Sequence, residues 1–221
     1  MIPTATPHAA TTPHFGGEGV HLRFLPEVNG VIDVDILPSP WPDSMGSPTA
    51  DMDLFGAWTM GAYGPFTFSG NLERAAQHPY EWNDAPKAAS AHTSIVRVRS
   101  SYAVGADPDA LVIPESYDSK SELMMVTQIA RSLLDLPHAL AYFNPNGEML
   151  LNKTRLQALL DEASAQKLLP LAAWTNARVF RVDANWTMMD VVGNGQIDLP
   201  DLEVLYPAKD VRGSDARETF S

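Results

Sequence analysis

Apolar and polar side chains alternate most strictly between Ile32 and Ile36, where Ile32, Val34 and Ile36 point one way and Asp33 and Asp35 the other. A period of two predicts a strand with one wet face, and the two acids are expected to be that solvent face. Ahead of it, Leu22 and Phe24 alternate with His21 and Arg23, and Asn29-Gly30 supplies a two-residue turn signal. A hairpin is therefore the first ordered element expected. Pro38 to Pro48 reads as a stiff loop with Trp41 as a packing plug or binding aromatic. The aromatic, glycine-containing stretch 51–68 predicts a short helix or irregular strand, then a strand over 65–68. Leu72, Ala75 and Ala76 predict a helix capped by Ser69, and Asn83-Asp84 with Pro86 restarts one that ends near Ala91.

A strand follows over 93–99. The strongest helical stripe is Leu123, Val126, Ile129, Ala130, Leu133 and Leu134, capped by Ser119 or Ser121 and closed by Pro137. Strands over 139–143 and 148–151 flank the turn Asn144-Pro-Asn-Gly147. Asn152 or Thr154 then caps a helix through Leu156, Leu159, Leu160 and Ala163. A second hairpin is expected from 171–174 and 179–182 across Asn176-Ala177, with a last strand or short helix over 202–206. Hairpins alternating with helices predict an α+β fold: an antiparallel or mixed sheet built from hairpins, with helices packed on one face. The expected organisation is a flexible leader over 1–19, a single domain over 20–207 and a charged flexible tail over 208–221.

The chain has 221 residues, 45% of them hydrophobic, and a formal charge of −12. That charge disfavours nucleic acid, whose phosphates need clustered Lys and Arg, and an anionic membrane surface; it favours a basic partner. No cysteine is present, which removes disulfides, thiolate ligands and thiol nucleophiles. No stretch is apolar enough to span a bilayer, and residues 1–19 lack the basic and apolar regions of a signal peptide. A soluble, cytoplasmic protein is expected.

Candidate chemistry is sparse. Asp190-Val-Val-Gly-Asn-Gly-Gln-Ile-Asp-Leu-Pro-Asp201 approaches a twelve-residue calcium loop, with Asp190, Asn194, Gln196, Asp198 and Asp201 at ligand positions. Val192 stands where an oxygen is required and Pro200 intrudes, so the segment is either a degenerate calcium site or a turn built on Gly193 and Gly195. His78, Glu81 and His92 are a second candidate metal set, weakened by Pro79 between the first two. No nucleophile elbow, Walker lysine or dinucleotide loop occurs. Trp41, Trp58, Tyr80, Trp82, Trp174 and Trp186 are either core aromatics or the lining of a protein-binding groove. The surface around Trp58 and Tyr63 is a candidate self-association face.

Five segments together carry a resemblance: Gly64-Pro-Phe-Thr-Phe68, Leu72-Glu-Arg-Ala-Ala-Gln-His78, Ala91 to Tyr102, Ala141 to Glu148 and Met189 to Glu203. In that order, over 20–206, the chain resembles a bacterial family known only as a domain of unknown function, four-two-six-one. The resemblance implies a soluble α+β protein without accepted catalytic residues, and a backbone role for the glycines of the 190–203 segment. The function expected is a non-enzymatic protein-binding module of immunity or accessory type acting on a basic partner. The alternative is a metal-dependent hydrolase or calcium-stabilised domain using one of the two candidate sets.

Overall fold

The computed structural model describes residues 5–9, 14, 16–65, 67–79, 81–104, 106 and 112–208. Among them, nine strands form three antiparallel sheets accompanied by six α-helices, an α+β fold. No helix is long and apolar enough to cross a membrane. Phe66, Tyr80 and 209–221, most of the expected tail, lie outside the described residues.

The first sheet has the order β1 (Ala5–His8), β2 (Glu18–Leu25), β3 (Gly30–Leu37), β4 (Ile95–Ser101). The stretch expected to be a leader thus contributes an edge strand, Ala5 pairing with Leu22 and His8 with Gly19. The expected hairpin is β2–β3. Its connection is a 3-10 turn, Pro26–Val28, and Asn29 in the left-handed region at φ 57°.

The acids of β3 do not form a wet face. Asp33 and Asp35 are 7% and 0% exposed, while on the opposite face Ile32 is buried at 1% and Ile36 is 51% exposed. The reason lies in the register: Asp33 stands opposite Arg99 and Asp35 opposite Arg97, so the acids meet their counter-charges inside the sheet face. That face is then covered by α1 (Met52–Thr59) and the turn after it, where Leu37, Leu54, Ala57, Trp58, Ala62 and Tyr63 form one core cluster. Burial of Trp58 and Tyr63 withdraws them from the self-association face expected of them.

Trp41 joins this cluster to the next. It packs edge-on against Trp58, Tyr63 and Phe143 at centroid distances of 5.9, 5.2 and 5.0 Å, and its indole N–H donates to Asn71 Oδ1 at 2.9 Å. The second cluster contains Leu72, Ala75 and Ala85 from α2 (Asn71–Gln77) and α3 (Ala85–Ala91), with Leu150. α2 is not capped by Ser69. Its N-cap is Gly70, and Asp43 from the Pro-rich loop accepts from the Leu72 and Glu73 N–H groups at 2.9 and 2.8 Å. Asp43→Ala should therefore cost about 1 kcal/mol, the usual worth of a helix cap, read as a lower urea midpoint with an unchanged slope.

The third cluster is the largest. α4 (Ser119–Leu133) and α5 (Lys153–Gln166) pack with β5 (Tyr142–Asn144) and β6 (Met149–Leu151) around Trp174, which is fully buried and donates to Thr127 Oγ1 at 2.9 Å. Residues 171–174, where a strand is expected, form a short helix α6 (Leu171–Trp174). The second hairpin instead joins β7 (Asn176–Arg181) to β8 (Trp186–Val192), and β9 (Glu203–Pro207) completes a sheet of order β7-β8-β9. Leu171 and Ala172 alternate too little to distinguish a strand from a single helical turn, and the Trp174 anchor decides it.

Candidate functional site

The segment Asp190 to Asp201 is a junction between three elements. Asp190 lies within β8 opposite Arg178, and both its oxygens receive the Arg178 guanidinium, Nε at 3.0 Å. Glu148 bridges Arg178 Nη1 and Arg74 Nη2, each at 2.6 Å, which ties β7 to α2. Burial would lower the proton affinity of Arg178, but its bonds to Asp190 and the charge of Glu148 hold it above the ordinary arginine value.

Gly193 adopts φ 109°, and a 3-10 turn covers Asn194–Ile197. Gln196 points inward: its amide donates to the carbonyls of Trp174 and Gly193 at 2.9 and 3.0 Å and accepts from Asn144 at 2.9 Å. The Asn194 N–H donates to Asp201 Oδ1 at 2.8 Å, and Asp198, at φ 61°, ends the turn exposed. Four of the five residues are thus spent in separate directions, on Arg178, the 144–147 turn, the Trp174 carbonyl and the loop's own backbone, and Asp198 faces solvent. The loop packs closely on the 144–147 turn: a Cβ on Gly193 would lie 2.6 Å from Gly147 Cα and 2.8 Å from the Trp174 carbonyl oxygen.

His78, Glu81 and His92 are likewise dispersed. His78 packs edge-on against Phe180 at 5.4 Å, and Glu81 pairs with Arg155 at 2.8 Å. His92 Nδ1 lies 2.6 Å from the Ala89 carbonyl, which can only accept, so Nδ1 donates. Nε2 then accepts from the Trp41 N–H at 2.7 Å. Both ring nitrogens of His92 are occupied in pinning the Trp41 loop to the end of α3.

The charged face of the first sheet is invisible to a reading of β3 alone. Arg97 donates to both oxygens of Asp35, and also to the carbonyls of His14 and Ala62 at 2.6 and 3.1 Å. Asp35 further accepts from the Gly17 N–H at 2.6 Å. Burial pushes the Asp35 carboxyl up, but the Arg97 and Gly17 hydrogen bonds and the charges of Arg97 and Arg99 outweigh it, leaving the group below its ordinary 3.8. Tyr63, capped by His14 Nδ1 at 2.6 Å, is pushed by burial up to about 12. Next to this pair, Asp33 is held by Arg99 on one oxygen and faces His8 and His21 with the other.

The exposed counterpart is β9. It is the outer strand of its sheet, and no further strand pairs with it among the described residues. Leu202 and Leu205 are each 56% exposed, and Val204 and Trp186 are exposed beside them. Asp198, Asp201 and Glu203 stand exposed in the same stretch, and no Lys or Arg occurs from Trp186 to Ala208. Of the aromatics read as a groove, Trp58 and Trp174 are buried and Trp41 and Trp82 pack against core clusters, which leaves Trp186 at this edge.

No family model, curated protein or solved structure matches this chain.

Proposed function

We propose that this protein is a non-enzymatic binding module that takes an extended, basic segment of a partner protein onto the outer edge of β9. One observation carries the reading: an outer strand that is apolar on both faces, lined by acids and free of the lysines that ordinarily blunt such edges. Strand addition would satisfy the outward backbone groups of β9, and alternate side chains of the partner would reach Leu205 on one face and Val204 on the other. Asp198, Asp201 and Glu203, within a chain of net charge −12, select for Lys and Arg and speed the encounter.

A displayed library of random linear peptides, selected against the full chain at low salt, tests this. Enriched peptides should alternate apolar residues with Lys or Arg, and their affinity should fall as salt rises. Glu203→Lys combined with Leu205→Lys, both at exposed positions and so expected to fold, should weaken them at least about tenfold, 1.4 kcal/mol or more. Enrichment without basic bias, or affinity indifferent to the double substitution, would count against the proposal.

A further inference from the structure

We propose that His8, His21 and Asp33 form a site for one divalent transition cation of zinc-like character, with one coordination position open to solvent. The three residues come from three adjacent strands. Pairing of β1 with β2 puts His8 opposite Gly19, two residues from His21 on the same face, and His21 stands directly opposite Asp33. His8 Nε2 and His21 Nε2 lie 2.8 and 3.3 Å from the same oxygen, Asp33 Oδ1. Among the described residues this is the one group of three or more histidine or carboxylate side chains whose ligand atoms all lie within 4.8 Å of one another.

Distance and direction disagree in an informative way. His8 Nε2 and Asp33 Oδ1 are both buried atoms that make no directed hydrogen bond, despite their close approach. Two ligand-type atoms that approach this closely without hydrogen-bond geometry are disposed as the ligands of one cation would be. With bonds of about 2.0–2.1 Å, tetrahedral ligand atoms sit about 3.3 Å apart and octahedral ones about 2.9 Å apart, close to the two contacts. The imidazole rings stack at 4.2 Å and 24°, so the two side chains lie side by side over the same carboxylate. Arg99 holds Asp33 by Oδ2, which leaves Oδ1 turned toward both rings. The imidazole side chains are 18% and 28% exposed, so water can reach the remaining position. Two nitrogens and one oxygen select a borderline cation over calcium or magnesium, which take oxygen ligands.

Cobalt(II) titrated into the full chain, prepared without chelator, should give visible ligand-field bands that saturate at one equivalent. Zinc alone should abolish them, while millimolar calcium or magnesium should not. His8→Ala and His21→Ala, checked for folding by circular dichroism, should each weaken binding at least about 100-fold, since removing a ligand costs at least as much as removing its support. His92→Gln and Asp190→Asn should leave it unchanged. Should His21→Ala fail to fold, His8→Ala on the edge strand decides the matter. Absence of stoichiometric binding, or equal binding by either folded histidine variant, overturns the site.

Discussion

Arg97→Ala is expected to destabilise the protein by about 3–5 kcal/mol, the cost of leaving one member of a buried ion pair without its partner. Asp35 is fully buried, and Arg97 donates to both of its oxygens as well as to the His14 and Ala62 carbonyls, with the Arg99 guanidinium 3.7 Å away. The pH dependence follows from the direction of the Asp35 shift. A folded-state value below 3.8 means that the pair stabilises fully above 3.8, and that this stability is lost as the pH falls through the lower folded value. In Arg97→Ala the largest lowering influence is gone and burial dominates. Asp35 then prefers to be protonated in the folded state, so the deficit of the variant should shrink as pH is lowered from 7 toward 4. Arg97→Met combined with Asp35→Leu should recover only part of the loss, because it removes the unpaired buried charge but leaves the Gly17 N–H and the His14 and Ala62 carbonyls without their partners. Urea denaturation across that pH range measures all three. A deficit below about 1 kcal/mol for Arg97→Ala, the scale of an exposed pair, would show that the pair does not organise the sheet.

Gly147→Ala and Gly193→Ala are expected to cost more than about 4 kcal/mol each, beyond the range of ordinary substitutions, and to reduce soluble yield sharply. A Cβ added at Gly147 would meet the Trp174 carbonyl oxygen at 1.7 Å, and one added at Gly193 would meet Gly147 Cα at 2.6 Å, from a residue already at φ 109°. These neighbours are backbone and cannot rotate away. Gly61→Ala provides the comparison. Gly61 also has a positive φ, 72°, but its nearest neighbour is 3.7 Å away, so only the backbone strain of about 1–2 kcal/mol is expected. Similar losses at all three positions would refute the packing role assigned to the 144–147 and 193–197 turns.

The elements are legible in the sequence where their signals are local. The 119–133 helix shows its stripe, the 144–147 turn its Asn-Pro-Asn-Gly, and the β2–β3 hairpin its alternation. What alternation cannot show is which face is wet. Asp33-Val-Asp35 reads as a solvent face until it is set beside Arg97-Val-Arg99, whose spacing matches it in antiparallel register. That complementarity is in the sequence, 62 residues away for Asp35 and Arg97, but pairing partners are a tertiary fact. The Asp190 to Asp201 segment misleads in the opposite sense. Its Gly, Asn and Asp content is what a tight backbone junction needs as much as what a cation needs, and only the contacts of Gln196 and Gly193 separate the two. His8 gives no local signal, because a Pro- and Thr-rich stretch without an alternating apolar pattern does not read as a strand. Ala5–His8 becomes one because β2 offers it an edge.

The most direct test of the proposed binding edge is amide hydrogen exchange of the full chain with and without a saturating, library-selected basic peptide. Added protection concentrated in Glu203–Pro207, and weakened by added salt, is the result expected if the peptide joins the sheet as a further strand. Protection that leaves β9 unchanged while appearing elsewhere would contradict it.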